Sequence, residues 1–413
     1  MESSSVSKMS IIGAPRSSRK VLTLTVKGLP PDVLTKVVVN GLPYYLSNET
    51  VTFIEPIIWK ASKVIKKNKV YEPIQSEGSA SPPDNAEIVY RETSTIPEYW
   101  LEKKIGGKYK ISKILGSGGA GYVMLAEDKQ ANKLAVKIYR LESENQGETA
   151  LFRDSMIELA NNINKISKLD HPKLIKFYDV NVNLEVIKSY FKGITYLYLK
   201  DPPYVAMEYM GNGTVKDLLL RDEYFYSVRW KKLVYRIIFQ VARGLLYLHS
   251  EGYVHLDVKP SNIFIESVKG DDIRVKLGDL DSMKRVGQSI LEITPEYAPP
   301  EQLQAHYTKE GARPTMDIFS LGITFYELLT RKKRQPNYLV SALEALSKGN
   351  HDEAKKLIND DIIYLSTWNI DSIDDDKIKD LIQRMVSPDP KSRPTAKEIV
   401  YELDDLLQRA EKK

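Results

Sequence analysis

The chain has no cysteine among its 413 residues. Disulfides, cysteine zinc sites and thiol nucleophiles are therefore excluded. Histidine is scarce at five residues, none paired at metal-ligand spacing, which argues against a histidine zinc site. No uninterrupted apolar run reaches the length of a membrane span. The opening MESSSVSKMS lacks the apolar core of a signal peptide, so a cytoplasmic location is expected. Charge of one sign is also missing. The formal net charge of +5 is spread over both signs, and no basic stripe interleaved with aromatics appears, so no nucleic-acid partner is expected.

Hydrophobic residues make up 42% and charged residues 28% of the chain, as in an ordinary globular protein. The length suggests two units, one of roughly 300 residues and a smaller one. Residues 1–20 are rich in Ser and basic residues and read as a tail. Residues 21–75 read as a small all-β module: VLTLTV, TKVVVNG and ETVTF are short β-branched runs cut by Gly, Pro and Asn. Ser76–Asp84, SEGSASPPD, reads as a linker, and IPEYWLEKK as a short lead-in helix, which places linker and lead-in at 76–104. From residue 105 the pattern is strands up to about Tyr209 and then amphipathic helices to Glu411. Asn181–Pro203 reads as a lengthened hairpin.

Four motifs in this second part carry chemistry. Gly116-Ser117-Gly118-Gly119-Ala120-Gly121 lies between two alternating apolar stretches. Glycines let a hairpin backbone approach phosphates with its amides facing the anion. A strand rather than a helix follows Gly121, which speaks against a dinucleotide fold. Lys137 ends the run Leu134-Ala135-Val136, and a buried Lys needs an anionic partner. His255-Leu256-Asp257-Val258-Lys259-Pro260-Ser261-Asn262 spaces a carboxylate, a cation and an amide along one loop. That suits a substrate hydroxyl, a moving phosphoryl group and a metal, in that order. Asp279 follows the strand RVKL, a natural place for a Mg²⁺ ligand. Singly, these fit plainer roles too: a common hairpin, an edge-strand Lys, a capping loop and a turn Asp.

In this order the motifs resemble those of the eukaryotic-type Ser/Thr protein kinases, from about Tyr109 to Leu407, roughly three quarters of the chain. Later markers agree: Thr294-Pro295-Glu296-Tyr297-Ala298-Pro299-Pro300-Glu301, Asp317-Ile318-Phe319-Ser320-Leu321-Gly322, and a segment whose Arg393 is expected to pair with Glu301. The resemblance implies an α+β bilobal fold with a β-rich lobe over 105–209 and a mainly helical lobe over 210–411. The β module before it resembles β-sandwich repeats attached to some archaeal proteins, and a docking or regulatory role is expected from its position alone.

The resemblance also implies roles, with ATP and Mg²⁺ or Mn²⁺ as cofactors and protein Ser or Thr hydroxyls as substrates. Gly116, Ser117, Gly118 and Gly121 cover the phosphates. Val123, Ala135 and Phe264 sandwich the adenine, Met207 backs the pocket, and Glu208 and Met210 offer backbone hydrogen bonds. Lys137 holds the α- and β-phosphates, Asp257 accepts the hydroxyl proton, Lys259 steadies the γ-phosphate, and Asn262 and Asp279 hold the metal. Thr294 and Lys259 favour Ser/Thr over Tyr.

Departures from the family pattern are specific. The partner of Lys137 falls by count on Asn162, with Glu158 one turn earlier on the same face; Glu158 is expected to form the pair in the active state. Leu256 replaces an Arg that binds phosphorylated activation segments, so activity independent of phosphorylation between Ser282 and Thr294 is expected. Asp281 replaces a Gly and reads as a solvated turn residue. These departures leave a non-catalytic, nucleotide-binding scaffold as the alternative function, and a small-molecule kinase on a related fold as a third.

Overall fold

A computed structural model describes residues 20–141, 156–158, 160, 163, 165–290, 293–308, 310–370 and 372–411. The tail expected at 1–20 lies outside them except for Lys20, as does Asn162. The chain divides into two compact units. One draws on Met1–Tyr122, Ile138–Arg153 and Val182–Pro203, the other on Val123–Lys137, Asp154–Asn181 and Tyr204–Lys413.

The first unit opens with β1 (Leu22–Lys27), β2 (Thr35–Val39), β3 (Leu42–Leu46), β4 (Thr50–Phe53), β5 (Ile57–Ala61), β6 (Val64–Lys66), β7 (Lys69–Pro73), β8 (Glu77–Ala80) and β9 (Asn85–Thr95). They form two sheets, in the orders β4-β1-β9-β7-β6 and β3-β2-β5-β8. Period-2 alternation explains the pairing of faces. Leu22, Leu24 and Val26 of β1, Val37 and Val39 of β2, and Ile57 and Trp59 of β5 all turn into one shared core with Ile88 and Tyr90. This is a sandwich.

The linker expected at 76–104 is corrected by β8 and β9. Strand β9 runs parallel to β1 and antiparallel to β7, so the first sheet is incomplete without it. The Gly and Ser of SEGSASPPD signal packing rather than a flexible joint. A Cβ on Gly78 would stand 2.7 Å from the Trp59 ring, so the strand needs glycine where it crosses the indole. In place of the lead-in helix there is a single 3₁₀ turn, Glu98–Trp100, followed by β10 (Lys104–Ile105) paired with β11 (Tyr109–Gly118).

The lengthened hairpin expected over Asn181–Pro203 is two short helices, α1 (Leu184–Tyr190) and α2 (Tyr196–Lys200). Asn183 caps α1, its Oδ1 accepting from the Glu185 N–H at 2.9 Å. Both helices are tied into the sandwich unit. Thr195 Oγ1 accepts from the Ile65 N–H at 2.8 Å, the Leu34 N–H donates to the Gly193 carbonyl at 3.3 Å, and Trp100 Nε1 donates to the Leu199 carbonyl at 3.2 Å. Trp100 also packs edge-on against Tyr198, with ring centroids 5.4 Å apart.

Strands follow in the order β12-β13-β15-β14, where β12 is Gly121–Glu127, β13 Lys133–Tyr139, β14 Phe177–Asn181 and β15 Tyr204–Glu208. Helices follow: α3 (Val215–Leu219), α4 (Asp222–Phe225), α5 (Trp230–Ser250), α6 (Pro300–Thr308), α7 (Pro314–Thr330), α8 (Tyr338–Ser347), α9 (His351–Thr367), α10 (Asp376–Met385) and α11 (Ala396–Glu411). Every residue from Met316 to Leu328 of α7 is buried, making it the central helix. It packs with Ile237, Val241 and Leu245 of α5 and Leu381, Ile382 and Met385 of α10 in one core. Two two-stranded antiparallel sheets sit after α5: β16 (Tyr253–Val254) with β19 (Lys284–Arg285), and the hairpin of β17 (Ile263–Lys269) with β18 (Asp272–Leu277). Their connecting loops carry the polar residues singled out above.

Candidate active site

The glycine loop joins β11 to β12, with Gly119 and Ala120 at its tip. Gly121 is required by its surroundings, since a Cβ there would stand 2.1 Å from the Ile138 carbonyl oxygen. At Gly116 and Gly118 a Cβ would meet nothing within 4 Å, so that face of the hairpin is open to a bulky anion. The Ser117 hydroxyl accepts from an Arg140 guanidinium nitrogen at 3.3 Å.

Strand β13 delivers Lys137 to a site where only 12% of its side chain stays exposed. Its Nζ lies 2.8 Å from Asp279 Oδ1 and 2.7 Å from Asp281 Oδ2. Burial alone would lower the Lys137 pKa, but the two carboxylates outweigh it and raise the value, so the ammonium is fixed. Burial likewise opposes ionisation of Asp279, yet the Lys137 charge prevails and holds that carboxyl well below the usual range. Burial pushes Asp281 up to about 6, against the pull of Lys137 and with the Asp279 charge adding to the rise. Asp281 is therefore no solvated turn residue. The fold folds the 3₁₀ turn Leu280–Ser282 so that Asp279 and Asp281 flank one ammonium, with Leu280 between them anchored in the core.

Asp257 is the centre of a second cluster. Its Oδ1 accepts from the Thr294 hydroxyl at 2.7 Å, and its Oδ2 accepts from Asn262 Nδ2 and pairs with Lys259 Nζ, each at 2.8 Å. Lys259 Nζ also donates to Thr294 Oγ1 at 3.2 Å. Asn262 spends its amide N–H groups on Asp257, donating to the main-chain carbonyl as well at 2.9 Å, and so turns its Oδ1 away as an acceptor.

The loop is held from below. The Asp257 N–H donates to His255 Nδ1 at 3.2 Å, which leaves the imidazole proton on Nε2, donating to the Gly278 carbonyl at 2.9 Å. Asp317, fully buried on α7, accepts from the His255 N–H at 2.8 Å and the Leu256 N–H at 2.7 Å. Those bonds stabilise Leu256 at φ 67°, a left-handed conformation costly for a branched residue. Asp317 reads in the sequence only as the start of a helix, and its support of the loop is visible only in the fold. Ser282 Oγ completes the frame, lying 3.0 Å from the Asp279 carbonyl and 3.1 Å from that of His255.

The residues implied for the adenine come from the second unit's sheet and the β17 strand. Ala135 is buried, and Val123, Met207 and Phe264 are half-buried. The Phe264 ring lies over Gly278, where a Cβ would come within 2.6 Å of it. The Glu208 carboxylate is taken by Lys276 Nζ, 2.8 Å from both oxygens, and its N–H donates to the Lys176 carbonyl at 2.9 Å. The Met210 carbonyl accepts from the Gly213 N–H at 3.4 Å.

The pair of Lys137 with Glu158 expected in the active state is not formed in this structure. Glu158 Oε1 accepts from Lys284 Nζ at 2.9 Å and Gln288 Nε2 at 2.5 Å, so the helix carboxylate is spent on the segment after β18. The expected pair of Arg393 with Glu301 is present, bidentate and buried, at 2.5 and 3.1 Å.

Oxygen donors of Asn262 and Asp279 suit a hard divalent cation. Among the described residues no group of three or more His, Cys, Asp or Glu could hold a metal ion alone. Mg²⁺ commonly fits such a site by sharing protein oxygens with substrate phosphates and water. Among the described residues, too, no helix is long and apolar enough to cross a membrane.

Comparison with known proteins agrees with this geometry. The chain is 34% identical to the serine/threonine-protein kinase ArnS of Sulfolobus acidocaldarius over 92% of this chain and 65% of that protein. It is 25% identical to the interferon-induced, double-stranded RNA-activated protein kinase of Mus musculus, over 76% of this chain and 54% of that one. It is 27% identical to the serine/threonine-protein kinase PrkC of Bacillus subtilis, over 56% of this chain and 31% of that one. The chain thus spans less than two thirds of the length of each of these relatives. The family model for the protein kinase domain matches residues 109–402, and the chain belongs to the protein kinase family.

Proposed function

We propose that the chain transfers the γ-phosphate of ATP to Ser or Thr hydroxyls of proteins. The observation that carries this reading is the Thr294 hydroxyl, seated on Asp257 Oδ1 at 2.7 Å with Lys259 beside it. A hydroxyl hydrogen-bonded to a half-buried carboxylate, with a cation alongside, is the arrangement a substrate Ser or Thr needs at the moment of attack. Asp257 takes the proton as the hydroxyl oxygen bonds to phosphorus and the bond to the ADP oxygen breaks. Lys259 neutralises charge on the moving phosphoryl group. Lys137 orients the α- and β-phosphates. Asn262 and Asp279 would hold Mg²⁺ or Mn²⁺, which supplies further charge neutralisation when bound. Val123, Ala135, Met207 and Phe264 offer apolar surface for the base.

Acid hydrolysis of a generic basic protein labelled by the purified chain and γ-labelled ATP tests the acceptor class. Phosphoserine or phosphothreonine is expected, with labelling lost in EDTA. Phosphotyrosine alone, or label transferred only to small molecules, contradicts the proposal.

A further inference from the structure

We propose that Asp281 is the positioning residue for Lys137, a carboxylate that stays on the ammonium when Asp279 turns to a divalent cation. The proposal rests on the assignment of Lys137 to the phosphates and Asp279 to the metal. It starts from a conflict within that assignment. Asp279 is the metal ligand, yet it sits on Lys137 at 2.8 Å. A metal ion draws on the same oxygens, so Asp279 cannot serve both cations fully. Lys137 is nearly buried, and an incompletely neutralised ammonium there is costly. Glu158, the helix carboxylate, is engaged by Lys284 and Gln288.

Asp281 resolves the conflict by geometry. Its Oδ2 is 2.7 Å from Lys137 Nζ, and only 10% of its side chain is exposed. The left-handed residue of the turn is Asp279, at φ 59° and ψ 48°, and Asp281 is not among the residues with positive φ. A side chain at 281 is therefore free of the strain that would demand glycine. The turn is also anchored independently of either carboxylate, by Leu280 in the core and Ser282 Oγ on the Asp279 and His255 carbonyls. Asp281 is thus a fixed anion against which Lys137 is held extended, its direction set before nucleotide arrives. Positioning of this kind lowers the ordering cost of binding.

Titration with a fluorescent ATP analogue and Mg²⁺ tests the inference, using wild type, Asp281→Asn, Asp281→Gly, Asp281→Glu, Lys137→Met and the Lys137→Met/Asp281→Asn double variant. Asp281→Asn and Asp281→Gly should weaken nucleotide binding by about tenfold or more, an effect of about 1.4 kcal/mol. Asp281→Glu should recover most of the loss. In steady-state assays the rise in KM for ATP should exceed the fall in kcat. Because Asp281 acts through Lys137, Asp281→Asn should change binding less than about twofold in the Lys137→Met background. Binding by Asp281→Asn within twofold of wild type overturns the inference. So does an equal loss in both backgrounds, which is the signature of general damage to the fold. If Lys137→Met itself binds nucleotide like wild type, the assignment of Lys137 to the phosphates fails, and the inference with it.

Discussion

Asp257, Lys259 and Asn262 could be expected to meet because their spacing is local, and they do. Lys137 was legible because a Lys closing a buried strand demands an anion. Asp281 was not. Read along the chain, an Asp where the family has Gly is a turn residue, and only the 3₁₀ geometry shows it turned inward to Lys137. Glu158 illustrates a complementary point: helix register predicts a face, but the cation that holds that face in this structure, Lys284, belongs to the segment after β18. Tyr90 is a buried residue that period-2 alternation could place but not characterise. Its hydroxyl bonds Thr35 Oγ1 and the Ser62 carbonyl, at 2.5 and 2.6 Å. Burial raises its pKa from an ordinary 10.0 to about 12, with the Thr35 hydrogen bond opposing. A phenol whose folded pKa is raised contributes stability in full below its unfolded pKa and loses it as pH climbs through the folded value. The sandwich unit should therefore lose about 2–3 kcal/mol between pH 10 and pH 12 from this group. Unfolding followed by the Trp59 fluorescence change should show that slope, and Tyr90→Phe should flatten it.

At the scale of elements, the segment after Asp279 is held without any phosphate. β19 pairs with β16, the Val286 N–H donates to the Gly252 carbonyl at 3.0 Å, the Gly287 N–H donates to the Ala312 carbonyl at 2.9 Å, and the Ala312 N–H donates to the Gln288 carbonyl at 2.8 Å. Leu256 closes the arrangement in an apolar cluster with Val254, Ile290, Ala305, Ala312 and Met316. At the position where the family pattern has an Arg, this chain places Leu256 in hydrocarbon packing, which offers a phosphate no partner. Phosphatase-treated enzyme is accordingly expected to keep its activity within about twofold. Leu256→Ala should cost about 2–5 kcal/mol in local stability and lower kcat, because the cavity sits under the segment that carries Ile290. Faster amide hydrogen exchange over Lys284–Ile290 checks this. Loss of activity on dephosphorylation, with phosphate mapped to that segment, contradicts it. The sequence disclosed the missing Arg but not its replacement, since the cluster's members are dispersed over 63 positions from Val254 to Met316.

For the whole molecule, the division into an accessory module and a kinase domain was readable from periodicity, while the boundary was not. The supposed linker is two strands, and the supposed hairpin at Asn181–Pro203 packs with the sandwich through Thr195, Tyr198 and Leu199. Such long-range partnerships leave no local mark: Trp100 and Leu199 are 99 residues apart in sequence. Residues of the module and of the Asn181–Pro203 segment thus share one packed unit. Deleting residues 1–103 should uncover Tyr198 and Leu199 and leave the Thr195 hydroxyl unsatisfied, giving a chain that unfolds at lower temperature and aggregates. Trp100→Ala should destabilise the full chain by about 3–5 kcal/mol, measured by thermal unfolding. A deletion variant as stable as the full chain would show the module to be dispensable for the fold.

The most direct test of the account as a whole is single-turnover transfer from γ-labelled ATP to a generic basic protein, comparing wild type with Asp257→Asn at equal nucleotide occupancy. Asp257→Asn should bind nucleotide as wild type does and transfer phosphate at least about 10²-fold more slowly. Equal transfer by the two proteins, or nucleotide binding by wild type with no transfer at all, would contradict the assignment of Asp257 as the base of a Ser/Thr kinase.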